Sequence, residues 1–230
     1  MDNKKNTILL TVIAVATLLV AVVGATFAYF TAQGGNAAEN KVTVQTGTAG
    51  SSSFDVNGSE LKLEADATTF SAATGSITSS EATGTVNFTA PGAAGGQTPD
   101  AKDLQFCYQV TVEITANDFE YSLGTDKPEL LLTIKKNGTN IETVTGITGV
   151  TYKTATDRLN KSYSGFDITG GVTGTLTVSG ENKLTAAAGA EATPDNWAVT
   201  MTLVNYEGNQ NANTDNSLTG KVKYTTVDCA

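Results

Sequence analysis

The sequence predicts an all-β protein, a single antiparallel β-sandwich preceded by a hydrophobic signal helix. Three observations lead there. After position 40, apolar residues alternate with polar ones at period two, the pattern of strands with one greasy and one wet face. The stretches between these bursts are rich in Gly, Ser, Thr and Ala, and two Asn-Gly dipeptides stand among them; both are turn signals. Ahead of position 30 lies an uncharged apolar run.

The 230-residue chain has 14 Lys+Arg, 23 Asp+Glu, no His, two Cys and a formal charge of −9. That suits one domain behind a leader. Lys4 and Lys5 precede an apolar run from Ile8 to about Ala25, and small residues follow, the three zones of a secretory signal. Thr26 and Ala28 occupy the −3 and −1 positions of a cut between Ala28 and Tyr29. The next Lys after the run is Lys41, so no basic stop-transfer cluster follows. The run is also near the minimum for a bilayer-spanning helix, and a retained anchor is the other reading. Either way, Lys4 and Lys5 stay in the cytoplasm and the rest of the chain faces outside. Secretion or surface display is therefore expected, with membrane contact only through an uncleaved leader.

Gly24, Thr26, Ala28 and Phe30 spell G-x-T-x-A-x-F, and Gly47-Thr48 forms a G-T pair behind a short strand-like run. This junction resembles the precursors of the camelysin/TasA family of secreted Gram-positive biofilm matrix proteins, which are handled by a dedicated signal peptidase. The resemblance implies a jelly-roll sandwich, self-association into extracellular filaments and an accessory matrix protein as partner. It divides the chain into a signal peptide at 1–28, an N-terminal arm or donor strand at 29–48, and a sandwich domain at 49–230. Val42 and Val44 are the anchors of that arm.

Along the rest of the chain, inward phases run through Val86, Phe88 and Ala90, then Leu104, Phe106, Tyr108, Val110, Val112 and Ile114. Leu130, Leu132 and Ile134 follow, then Leu176 and Val178, then Trp197, Val199, Met201 and Leu203, then Val222 and Tyr224. Asn57-Gly58 and Asn137-Gly138 suit type I′ turns and predict hairpins at 53–63 and 130–144. In all, eight to eleven strands are expected, with one short helix from Thr156 through Leu159. Low-charge loops are expected at 47–53, 70–84, 91–100 and 184–195.

Cys107 falls in phase with Gln105, Gln109 and Thr111, and Cys229 with Lys221, Lys223 and Thr225. Both thiols are thus expected to face outward. In an exported chain two such thiols read most simply as one disulfide, which requires the terminal strand to lie beside the 104–115 strand. Two free thiols, bridges between subunits, or a two-Cys metal site completed by carboxylates are the other readings.

The chemistry available is narrow. Without His there is no Ser-His or Cys-His nucleophile pair and no H-E-x-x-H zinc site. Sparse, scattered positive charge argues against nucleic acid. Glu113, Asp118 and Glu120 cluster near one strand end but lack an aromatic cleft, so a hydrolase is the least favoured class. Asn211, Asn213 and Asp215 alternate like a calcium loop, but no bidentate Glu or turn Gly completes it; an Asn-rich turn is expected. A Lys-Asn isopeptide bond needs both residues buried beside an acid, and no pattern singles out such a triad. No enzyme, cofactor or metal is expected. The preferred function is a structural subunit of an extracellular fibre growing by strand addition. The alternative is a surface-displayed adhesion module binding through Tyr121, Tyr152, Tyr163 and Tyr206.

Overall fold

A computed structural model describes residues 42–46, 50–66, 68–93 and 98–229. The leader, the junction between Ala28 and Tyr29, and the arm before position 42 lie outside the described residues. Among these residues the fold is an all-β sandwich of two packed antiparallel sheets, as the alternation predicts. Its strands are β1 (Val42–Thr46), β2 (Gly50–Asn57), β3 (Glu60–Glu64), β4 (Ile77–Thr78), β5 (Ala82–Thr89), β6 (Gln105–Asn117), β7 (Leu130–Lys136) and β8 (Thr139–Asn140). They continue with β9 (Val144–Thr145), β10 (Tyr152–Thr156), β11 (Ser162–Asp167), β12 (Gly174–Val178), β13 (Asn182–Thr185), β14 (Asp195–Leu203) and β15 (Ser217–Val227).

One sheet has nine strands, ordered β1-β2-β5-β14-β7-β11-β10, with β4 beside β14 and β8 beside β7. The other has six, ordered β3-β15-β6-β12-β9, with β13 beside β6. Rings from the two inner faces interlock. Phe54 and Phe88 of the first sheet lie 5.7 and 5.8 Å from Phe106 of the second, and Trp197 meets Tyr108 edge-on at 6.3 Å. Such contacts add about 0.5–1.5 kcal/mol per pair to the burial term. All the apolar positions predicted inward, from Val86 to Val222, are in this core, with Leu104 and Tyr224 at its margin. Gly84 is required there because a Cβ on it would strike the Tyr224 ring.

The two Asn-Gly turns part company. At Asn137-Gly138 both residues have positive φ, 51° and 80°, and Lys136 faces Thr139 across the turn, a two-residue type I′ hairpin. At Asn57-Gly58 only Gly58 is left-handed, and the expected hairpin is a crossover from one sheet to the other. The reason is occupancy: β2 is flanked by β1 and β5, so the next strand finds no free edge and pairs with β15 instead.

The expected helix at Thr156–Leu159 is also replaced, by the β10–β11 hairpin, with Thr156 opposite Ser162. Asp157 decides this. Its Oδ1 accepts from the Leu159 and Lys161 amides, while Asn160 takes φ 63°, a local bonding pattern that competes with helix. Its Oδ2 accepts from the amide and hydroxyl of Ser76, pinning a distant loop to the hairpin. That hairpin, with the two-residue ladders β4, β8 and β9, carries the strand count past eleven. Two expected loops also shrink, since β2 starts at Gly50, β4 lies within 70–84 and β5 begins at Ala82.

Burial opposes the Asp157 charge, but hydrogen bonds from the Lys161, Ser76 and Leu159 groups outweigh it and hold its carboxyl below the ordinary range. A carboxyl depressed in the folded state adds stability above its unfolded pKa and loses it as pH falls through the folded one. Asp157→Ala is therefore expected to cost about 1–3 kcal/mol in urea unfolding at neutral pH. The gap from wild type should narrow in acid; a pH-independent gap would mean that the carboxylate's charge is irrelevant.

Candidate functional site

Of the residues predicted to matter, Ala28 and Tyr29 lie outside the described residues. Val42 and Val44 fall in β1, the terminal strand of the nine-stranded sheet, where they stand in register with Phe54 and Ser52 of β2.

Cys107 and Cys229 form a disulfide, and β15 does lie beside β6, with Val227 opposite Cys107. Cys107 is nonetheless only 1% exposed. It keeps the outward phase, apart from the main core, but β13 on one side and β15 on the other cover it. The Glu181 carboxylate also lies 3.3 Å from its sulfur. The two sulfurs and a Glu181 oxygen gather within 4.8 Å of one another. Oxidised, these sulfurs carry no thiolate, and the thiolate is the metal ligand.

The remaining predicted groups act within the chain. Glu113 pairs with Lys223 at 2.5 Å, and that hydrogen bond, followed by the Lys223 charge, holds its carboxyl below the usual range. Asp118 accepts from the Ser217 hydroxyl at 3.2 Å. Asn211–Asn213 forms a 3₁₀ turn. Within it Asn213 is fully buried, donating to the Glu120 carbonyl and to Glu129 Oε2. Tyr121 donates to Asp167, Tyr206 to the Pro128 carbonyl and Tyr163 to Asp157, while Tyr152 accepts from Asn140. Burial and the bond to Asp167 push the Tyr121 hydroxyl up to about 12.

A second polar cluster sits between the sheets, built from three strand ends. Lys136 closes β7 just before its turn, in the inward phase of Leu132 and Ile134. Asp195 opens β14 in the inward phase of Trp197 and Val199. Asn182 opens β13 in the inward phase of Leu184. The Lys136 ammonium donates to Asp195 Oδ2 at 2.8 Å and reaches Asn182 Oδ1 at 3.5 Å. It lies over the rings of Trp197 and Tyr108, 5.5 and 5.8 Å from their centroids. Tyr108 donates to Asp195 Oδ2 at 2.5 Å, Trp197 Nε1 donates to the Tyr108 hydroxyl at 3.0 Å, and Asn137 Nδ2 donates to Asp195 Oδ1 at 3.0 Å. Burial, then the bond to Asp195, pushes the Tyr108 hydroxyl far above its ordinary value. Asn182 is 6% exposed, yet its Nδ2 is buried without a hydrogen-bond partner. An unsatisfied buried amide costs about 1–3 kcal/mol. A polar residue standing in an apolar phase was the sequence signal for all three.

No family model matches the chain, and no curated protein matches it.

The disulfide spans 122 positions, and the chain-entropy model assigns a loop of that size about 4–5 kcal/mol. Replacing Cys107 and Cys229 together by Ser should lower the thermal midpoint by roughly ten degrees or more for a chain of this size. The same drop should follow reduction of the wild type. Midpoints that coincide with and without reductant would rule the stabilising bridge out.

Proposed function

We propose that this chain is a secreted structural subunit of an extracellular matrix fibre or cell-surface filament, assembling through its N-terminal arm, residues 29–48. The observation that carries this reading is the place of β1. It is the terminal strand of the nine-stranded sheet and the first strand among the described residues, joined to β2 by five register pairs. A terminal strand that precedes the rest of the described sandwich can leave its own sheet and add to the same edge of a neighbour.

The exchange is close to neutral in main-chain hydrogen bonding, because the pairs broken within one subunit are the pairs remade between two. Each subunit then offers an arm and a vacated β2 edge. The contact is head-to-tail and grows without closing. The leader motif G-x-T-x-A-x-F supports the same reading through its resemblance to camelysin/TasA precursors, as does the signal layout of residues 1–28. An accessory matrix protein is the further partner that the resemblance implies. The adhesion reading gains less support, since all four candidate tyrosines direct their hydroxyls to groups of the same chain.

Two measurements on the secreted protein test this. Its intact mass should correspond to a chain beginning at Tyr29. A form lacking residues 29–48 should keep the circular dichroism of a folded β protein yet show no filaments by electron microscopy. Filaments of the truncated form, indistinguishable from those of the intact one, would sink the strand-addition mechanism.

A further inference from the structure

We infer that Lys136 and Asn182 become joined by an intramolecular isopeptide bond, with Asp195 as the proton-transfer group. Four features of the cluster lead to this. The Lys136 Nζ already touches the Asn182 side-chain amide, 3.5 Å from its oxygen, and a carboxylate oxygen of Asp195 sits 2.8 Å from the same nitrogen. The Asn182 Nδ2 is buried with no hydrogen bond to lose on departure. The reacting groups are walled by the Trp197 and Tyr108 rings, both nearly inaccessible to water. Held this way, amine and amide react as parts of one molecule, at a high effective concentration.

The steps balance without any oxidant or cofactor. Asp195 Oδ2 takes a proton from the Lys136 ammonium along the existing hydrogen bond, leaving a neutral amine. The amine lone pair attacks Asn182 Cγ, and the carbonyl π electrons move to Oδ1, giving a tetrahedral centre. Asp195 delivers its proton to Nδ2 and takes one from the attacking nitrogen. The Cγ–Nδ2 bond then breaks, the carbonyl reforms, and ammonia leaves and carries off the proton held by Asp195. The net change is one ammonium ion released and one secondary amide formed. Tyr108 and Asn137 are positioning residues: they donate to the two carboxylate oxygens and aim one at the lysine. Trp197 Nε1 in turn holds the Tyr108 hydroxyl.

The link would tie β7 of the nine-stranded sheet to β13 of the six-stranded sheet, whereas the disulfide joins β6 to the segment after β15 in the same sheet. It holds whether or not the chain assembles into fibres. Mass spectrometry of the purified chain, after reduction, decides it. Wild type should weigh about 17 Da less than its sequence, the mass of one ammonia. Trypsin should release one branched peptide in which residues 136–153 are joined to residues 162–183, with Lys136 uncut. Lys136→Arg and Asp195→Asn should each restore the full mass of the variant and release residues 137–153 and 162–183 as separate peptides. A wild-type chain at full mass, with those peptides unlinked, overturns the inference, and this readout stands even if a variant fails to fold. A branched peptide in Asp195→Asn at wild-type yield would remove Asp195 from the reaction.

Discussion

The pairing of β15 with β6 is the constraint on which the rest of the sandwich depends. β6 is the longest strand, 13 residues, and it carries β12 and β13 on one side while β15 runs along nearly all of the other. A one-residue slip would turn every side chain of β15 to the wrong face, taking Val222 and Tyr224 out of the core. The register shift at Thr219/Gly220 absorbs one extra residue of β6, and Gly220 is suited to it, since a Cβ there would lie 2.8 Å from the Glu113 carbonyl oxygen. Below that shift the ladder continues unbroken to Val227, opposite Cys107. The disulfide is therefore a consequence of register. So is the place of Tyr108, whose ring reaches across to Trp197 and whose hydroxyl finds Asp195.

Two buried polar sites show opposite solutions to one problem. Glu129, with no exposed surface, accepts from the Ser122 and Leu123 amides, the Ser122 hydroxyl, Gln210 and Asn213. A buried carboxylate so fully bonded joins the loops around it into one unit, because removing any donor leaves charge in low dielectric. The cluster at Lys136 has its charge matched by Asp195, yet leaves the amide nitrogen of Asn182 unbonded. Groups of that kind in a native fold call for an explanation. Loss of that nitrogen as ammonia removes the unsatisfied donor altogether.

Strand identity was legible because alternation reports directly on which face is buried. Trp197, Val199, Met201 and Leu203 are all inward, as their phase implies. Sheet partnership was not, since it depends on which edges are already taken. Asn57-Gly58 looks like Asn137-Gly138 in isolation, and only the presence of β1 and β5 on either side of β2 sends the chain across to the other sheet. At Thr156 a capping residue pointed to a turn of helix through Leu159. The bonds of Asp157 to its own loop, and to Ser76 some eighty residues away, won instead, and the second of these is invisible to any local pattern. For Cys107, phase gave the face correctly but not the exposure, because outward on a sheet is not the same as uncovered. Lys136, Asn182 and Asp195 each break an apolar phase. Their convergence needs the sheet pairings to be known.

The two covalent ties bear differently on a fibre built by strand addition. In that arrangement a neighbour's arm lies along β2, while the subunit's own arm leaves from the residues just before Gly50, where β2 begins. Tension then enters and exits through the same strand. Within the sandwich, β2 is held by its seven register pairs with β5 and by Phe54, which packs on Phe106, Tyr108 and Tyr224 of the opposite sheet. Neither Cys107–Cys229 nor Lys136–Asn182 lies on that strand. Their effect falls on the platform beneath it: the disulfide fastens the end of β15 to β6, and the lysine link fastens one sheet to the other. A strand pulled along its length resists only as long as the surface it is bonded to stays intact. Both ties act on that surface, and both do so near the end of the sandwich where Phe106 and Tyr108 receive the Phe54 ring.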